Sequence, residues 1–261
     1  MNGPDTQSWP RLLGRLPAAD LAAVARDLVR VTLVEEQLLV RAHEPVRRVY
    51  FPMSGLLAVS VAMHDGRVAG VTLVGCEGVV GLEAGASLPA VTEAAVQVRG
   101  EALAMPAPRF RDAMRDHEAF RITIERYTFG LLSHIAQSAA CNQLHNVRER
   151  AARWLLLAYD RSGDSIPITQ QDFADLLGVS RPVISTVGAK LAREGIAEFR
   201  RGSVAILDVA RLEAVSCDCL LTDREAFRLV MVPGSGSEYA PGEHHRGRAP
   251  FGVMRTMRRA R

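Results

Sequence analysis

TQQDFADLLGVSRPVISTVGAKL, residues Thr169 to Leu191, reads as a helix, a sharp turn and a second helix. Thr169 suits the N-cap, because its hydroxyl can accept from a free amide of the first turn, and Asp172 three residues on makes a near capping box. Gln170 opens the helix behind it. Phe173, Ala174, Leu176 and Leu177 give this helix one apolar face. Gly178 ends it, since the residue past a helix end often takes left-handed backbone. Val179 fills the turn. Ser180 caps the next helix, and Pro182 fits its first turn, where no amide donor is needed. Val183, Ile184, Val187 and Leu191 recur at helical spacing and are expected to face inward. Ala174 is small where the helices cross. The outer surface of the second helix then carries Arg181, Ser185, Thr186 and Lys190. Such a pair lays its second helix in a DNA major groove, and Thr169, Gln170, Ser180, Arg181, Ser185, Thr186 and Lys190 are the expected DNA contacts. An ordinary helical hairpin is the plain alternative.

The next segment of the chain argues against that alternative. Ile196 to Leu207, IAEFRRGSVAIL, reads as two short strands around Arg-Arg-Gly-Ser. A helix-turn-helix succeeded by a hairpin is a winged helix. Its tip, Arg200 and Arg201, is basic, as contact with phosphate requires.

These residues resemble the C-terminal DNA-binding domain of the Crp/Fnr superfamily of bacterial transcription regulators. The matching segments are ITQQDFADLLGVSRPVIS, REGI, RRGSVAILD and RLEAVSC. SAACNQLHNVRERAARWLLLAYDR, Ser138 to Arg161, looks like the joint region of one subgroup. The resemblance spans about Leu12 to Leu220 and is looser toward the N-terminus. It implies a homodimer on double-stranded DNA, with two recognition helices reaching two half-sites one turn apart. RNA polymerase is a further candidate partner. Family members commonly read guanine with an arginine two turns into the recognition helix. Here Thr186 stands there, and Pro182 replaces a residue that often reads bases. The target sequence therefore does not carry over.

The N-terminal half has a different texture. Leu12 to Val29 reads as helix broken at Pro17. Val31 to Met105 alternates short β-rich runs with Gly and Pro, giving candidate strands at Val31–Leu33, Leu38–Val40, Arg48–Phe51, Gly55–Met63, Val68–Val74 and Ala94–Met105. Asp65-Gly66 is a hairpin signal. Strands at this spacing suggest a sandwich or jelly roll. VYFPMSGLLAVS and CEGVVGL resemble the family's cyclic-nucleotide-binding β-roll. In that roll a Glu takes the ribose hydroxyl while an Arg and a Ser take the phosphate, as a buried anion demands. The resemblance places these three near Leu82, Ala90 and Val91. GLEAGASLPAVTEAAVQV, Gly81 to Val98, holds no Arg or Lys. Arg99 falls one strand late, and Glu83 and Glu93 would repel phosphate. Tight binding of cyclic AMP or cyclic GMP is not expected, and the ligand-binding residues stay unassigned.

Arg109 to Leu144 reads as one long helix with an apolar stripe of Ile122, Tyr127, Leu131, Leu132, Ile135 and Ala139. The stripe is either intramolecular core or, as the resemblance implies, the dimer seam. Asn146 to Tyr159 continues as helix with Trp154, Leu155 and Leu156 buried, and with Arg148, Arg150 and Arg153 on a solvated face. The fold class expected is α+β. Residues 12–108 form the cyclic-nucleotide-binding-like roll, 109–144 the dimerisation helix, 145–219 the winged helix-turn-helix, and 222–261 a flexible basic tail. The end of that tail, VMRTMRRAR, is either solvated or a nonspecific DNA arm.

The chain has 261 residues, 48% of them hydrophobic, with a net charge of +3. That is enough for two domains of ordinary size. It has neither a long apolar run nor a signal-like N-terminus, so a cytoplasmic protein with no membrane contact is expected. The cysteines, Cys76, Cys141, Cys217 and Cys219, read as scattered reduced thiols without CxxC pairs. Some family members hold an iron–sulfur cluster with an N-terminal cysteine group. No cysteine precedes Cys76, so no cluster and no other cofactor is expected. Cys141 and His145 are four apart and could share a metal; polar groups satisfied near a domain joint are the plainer account of His134 and His145, and no metal site is assigned. No Gly-rich phosphate loop, nucleophile elbow or HExxH motif is present, so no enzyme is expected. A β-roll adaptor that has lost DNA binding is the remaining rival, disfavoured by the intact motif spacing and the basic wing.

Overall fold

The computed structural model describes residues 9–231 except residues 65 and 164. After a 3-10 turn at Leu13–Arg15, α1 (Ala18–Ala25) begins behind Pro17, as expected. Seven strands come next: β1 (Val29–Leu33), β2 (Leu38–Val40), β3 (Arg48–Pro52), β4 (Leu56–Ala62), β5 (Val68–Val74), β6 (Glu93–Val98) and β7 (Gly100–Pro106). They pair antiparallel in two sheets, β1-β7-β3 and β2-β6-β4-β5. β4 and β5 form the expected hairpin. Gly66 takes φ +83 in its turn, while Asp65 lies outside the described residues.

The run expected as one strand, Ala94–Met105, is two strands in two sheets. The chain turns at Arg99 and Gly100 because a second backbone segment crosses there. A Cβ on Gly100 would sit 2.4 Å from the Ser54 carbonyl oxygen, and one on Gly55 would sit 2.5 Å from that of Val98. Glycine permits this close approach.

The single long helix expected over Arg109–Leu144 is also two: α2 (Ala107–Asp116) and α3 (Glu118–Leu144), parted by extended backbone at His117. The bend lets Phe110 and Phe120 meet edge to face at 5.7 Å, with Phe51 beneath. All three are fully buried in the core of the β1-β7-β3 sheet. α4 (Val147–Ser162) is a separate helix, started by a capping box between Asn146 and Glu149. Then come β8 (Ser165–Ile166), α5 (Gln170–Leu177), α6 (Arg181–Arg193), β9 (Ala197–Arg200), β10 (Ser203–Ile206), α7 (Val209–Ala214) and α8 (Cys219–Val230).

α8 corrects the expectation of a flexible tail from residue 222. Leu220, Asp223 and Val230 are buried, and α8 lies along α3. The two helices approach closely at Gly130, where a Cβ would come within 2.4 Å of Val230 Cγ2. The basic C-terminal segment lies outside the described residues.

The arginines of α4 are not a solvated face either. Arg153 is 1% exposed. Its Nε donates to Asp223 Oδ2 at 2.6 Å and its Nη2 to Ser138 Oγ at 2.8 Å. His134 Nδ1 completes the group, 2.9 Å from Asp223 Oδ1. Arg148 pairs with Glu194, and Arg150 donates to the Leu177 carbonyl. The scattered cysteines are not scattered in space: α8 brings Cys217 and Cys219 against Cys141.

Two buried carboxylates anchor the joint. Burial alone would raise Asp223, but His134 and Arg153 outweigh it and hold its carboxyl below the usual range. Burial likewise opposes Glu77, and the Arg161 guanidinium, donating at 2.6 Å, wins. Both folded pKa values lie below the unfolded values near 4. Their stabilisation is present above the unfolded values and lost as pH falls through the folded ones. Denaturant unfolding at several pH values should show stability declining below about pH 4, and Asp223→Asn should remove part of that slope. Asp223→Ala, which strands Arg153, should cost about 3–5 kcal/mol at neutral pH. A stability flat in acid, or a silent Asp223→Ala, would contradict this account.

Candidate nucleic-acid interface

The helix-turn-helix forms as its residues dictate. Thr169 Oγ1 accepts from the Asp172 amide at 3.1 Å, and the Asp172 carboxylate accepts from the Thr169 amide at 3.3 Å. Gly178 ends α5 at φ +66, and the Val179 amide returns to the Ala174 carbonyl at 3.0 Å. Phe173, Ala174 and Leu177 are buried against Ile184 and Leu191 in one core with Trp154, Leu155 and Ile168. Ser180 stands at the N-cap of α6 with extended backbone, but its hydroxyl makes no capping bond.

One inward position differs from expectation. Val183 is 38% exposed. The buried line of α6 is Ile184, Gly188 and Leu191, and Val183 lies about 100° off it. Gly188 was the missed element of that line. A Cβ there would come within 2.7 Å of the Phe199 ring, and Phe199 packs in turn on Phe173, ring centres 5.8 Å apart. A glycine inside a helical pattern was the available signal. It lets the wing lie flat on α6.

The outer face of α6 presents Arg181, Ser185, Thr186 and Lys190, all exposed, together with Arg193 one turn beyond. Thr186 donates its hydroxyl to the Pro182 carbonyl at 3.0 Å, so only its oxygen and methyl face outward. Thr169 is exposed at the start of α5 but its side chain is engaged in the cap, and Gln170 beside it is half-buried. The wing packs on α6 through Phe199 against Gly188.

The wing is β9 and β10 joined through Arg201 and Gly202, the latter at φ +77. β8 adds a third strand on the β10 side, a short pairing that no sequence signal announced. Arg200 is held by Glu198 through two bonds of 3.0 and 2.9 Å. Its charge is thereby offset, leaving Arg201 at the tip as the stronger attractor for phosphate.

This unit rests on the roll. α5 crosses β5 at Gly70, where a Cβ would meet Leu176 at 2.4 Å. Gln97 donates to the Pro167 carbonyl at 3.1 Å. Leu56 and Leu73 of the roll belong to the same core as the winged helix. The outer face of α6 is left uncovered by this docking.

In the region where the resemblance places a phosphate site, residues Leu82–Ala86 form a 3-10 turn that starts from Gly81 at φ +88. Ala90 is buried and Val91 is exposed. The Val91 amide donates to Glu83 Oε1 at 3.4 Å, so a carboxylate faces the backbone there. Beside it a shallow depression of about 480 Å³ is lined by Leu82, Gly85, Phe110, Met114 and Phe129, with Glu125 and Thr128 at its edge.

Comparison with known proteins agrees with this architecture. Residues 149–215 match the Crp-like helix-turn-helix domain, and residues 30–117 match the cyclic nucleotide-binding domain. The chain is 30% identical over 183 residues to the transcriptional regulator LdrP of Thermus thermophilus, covering 65% of this chain and 88% of that one. It is 36% identical over 63 residues to the nitrogen fixation regulation protein FixK of Bradyrhizobium diazoefficiens, a match that spans only 27% of that protein. Among solved structures, a Crp/Fnr-family regulator from Eubacterium rectale superposes with a TM-score of 0.63 at 19% identity, over 78% of this chain and 96% of that one.

Proposed function

The chain belongs to the Crp/Fnr family of transcription regulators, and we propose that it acts as a homodimer that reads a two-fold DNA site under an effector other than cyclic AMP or cyclic GMP. The observation that carries the DNA reading is the outer face of α6, polar and cationic, flanked by the Arg201 wing tip. In this reading Arg181, at the helix start, reaches a base edge or flanking phosphate, with Ser185 and Thr186 one turn on.

The dimer reading rests on α3. The expected stripe divides in two. Tyr127 and Leu131 turn into the core of the chain's own roll. Leu132 stays 59% exposed with Ile122 and Ile135 beside it, and Phe129, outside the expected stripe, is 71% exposed on the same helix. Apolar side chains recurring along one helix face in this way suit pairing with a second copy. The reading against cyclic nucleotides rests on the charge of the cassette region. No cation lies between Gly78 and Val98, and Glu83 faces the Val91 amide.

Three measurements test these readings. On a site selected from random DNA, Arg181→Ala should cost roughly 1–3 kcal/mol and blur discrimination. Arg201→Ala should weaken all sequences equally and lower the salt slope by about one, with Arg200→Ala doing less because Glu198 already offsets it. Wing variants that alter specificity while Arg181→Ala does not would overturn this docking. Light scattering should give a dimer for the wild type and a monomer for Phe129→Glu/Leu132→Glu; a monomeric wild type, on and off DNA, would end the dimer reading. Calorimetric titration with cyclic AMP and cyclic GMP should show no saturable heat, and a stoichiometric isotherm would refute the last reading.

A further inference from the structure

Four side chains far apart in sequence meet where α3 hands over to α4. Cys141 lies in the last turn of α3 and His145 is the residue that ends it. Cys217 stands in the turn after α7, and Cys219 opens α8. One donor atom from each lies within 4.8 Å of all the others. The three cysteines are buried and His145 partly so. From this juxtaposition we propose that the chain carries a Cys3His site for a single tetrahedral divalent metal ion of the zinc type.

The distances select among possible occupants. Zinc binds sulfur at about 2.3 Å and imidazole nitrogen at about 2.0–2.1 Å, so a tetrahedron of these ligands has edges of about 3.8 Å between sulfurs and about 3.6 Å between sulfur and nitrogen. Cys141 Sγ lies 3.6 Å from Cys217 Sγ, and Cys219 Sγ lies 3.5 Å from His145 Nδ1. Both match edges of such a shell, and the remaining four separations lie within 4.8 Å. An iron–sulfur cluster sets its ligands around several irons and bridging sulfides, which spreads them more widely than this group. A Cys141–Cys217 disulfide would use two of the four groups and leave Cys219 and His145 together without a purpose.

The surroundings suit a metal as well. His145 Nε2 faces the solvent-exposed carboxylate of Asp218 at 3.8 Å, which leaves Nδ1 for the ion. Gln137 Nε2 donates to Cys219 Sγ at 3.0 Å. Arg150 and Arg153 lie close enough to Cys141 for their charges to act on it, and Arg150, which donates to a backbone carbonyl rather than to a carboxylate, offsets the excess negative charge of three thiolates around a dication. Three sulfurs packed this closely repel one another when ionised, and a cation between them removes that repulsion. Ligation would fasten the turn before α8 to the end of α3. Cys76, on the roll, stands outside the group. The site would form whether or not the chain binds DNA.

The test uses the full chain purified under reducing conditions, with Zn²⁺ and then Co²⁺ as the probes. Mass-spectrometric metal analysis should find one zinc per chain, and cobalt exchange should give the intense visible bands and thiolate charge-transfer absorption of a tetrahedral site. Cys141→Ser and Cys217→Ser should lose the ion, His145→Cys should keep it, and Cys76→Ser should bind as the wild type does. Since a ligand variant can fail to fold, wild-type protein stripped with a chelator supplies the second measurement: it should melt earlier and recover on refilling with Zn²⁺. Folded, reduced apo-protein that takes up no Co²⁺ overturns the proposal. So does native protein carrying iron with acid-labile sulfide, or one in which loss of Cys76 abolishes metal uptake.

Discussion

Arg153 cannot be buried alone. A guanidinium withdrawn from water costs several kcal/mol unless its charge and its donors are both met. Here Asp223 meets the charge, Ser138 takes a second donor, and His134 occupies the other oxygen of Asp223. The group joins α3, α4 and α8 through side chains that no single helix could satisfy. Its strictness is its structural use. If α8 slid by one residue, Asp223 would leave Arg153 unpaired and the whole desolvation cost would reappear. The tight contact of Val230 on Gly130 would be lost in the same shift. The close helix contact at Gly130 and Val230 is therefore held at one register by a charge pair further along α8.

The same rule of paired burial joins the two halves of the molecule. Glu77 leaves the roll and meets Arg161 near the end of α4, with Phe227 of α8 against the guanidinium at 5.2 Å. Around this pair the apolar core runs without a break from Leu56 and Leu73 of the roll to Ile184 and Leu191 of the recognition unit. A boundary closed by a shared core and a buried ion pair resists independent motion of its sides more than an ordinary domain interface does. The orientation of α6 relative to α3 is thus a property of the whole chain. Changes in the packing at α3, α4 and α8 therefore bear on the placement of the outer face of α6.

Local signals were reliable where a backbone conformation had one chemical solution. Thr169 with Asp172 and Gly178 marked the start and end of α5. Arg-Arg-Gly-Ser marked the wing, and the strand runs of the roll fell within a residue or two of their expected limits. Signals failed where a neighbour distant in sequence changed the outcome. Ala94–Met105 alternates well enough to be one strand, and only the crossing of the Ser54–Gly55 backbone divides it. Arg109–Leu144 has an unbroken helical pattern, and only the meeting of Phe110, Phe120 and Phe51 accounts for its bend. Arg153 looks like any surface arginine until Asp223 arrives from a segment that composition assigns to a tail.

The sequence by itself determined the α+β class, the winged helix-turn-helix, the polar and basic residues on its outer face, and the lack of Arg or Lys from Gly81 to Val98. These come from periodicity, capping and charge, which act between residues a few positions apart. Tertiary structure alone decided which arginines carry free charge, which apolar residues of α3 remain outside, and that Cys141, His145, Cys217 and Cys219 share one place. Those depend on contacts between segments about seventy residues or more apart. Spacing along the chain does not encode such distances; the packing of α8 on α3 does.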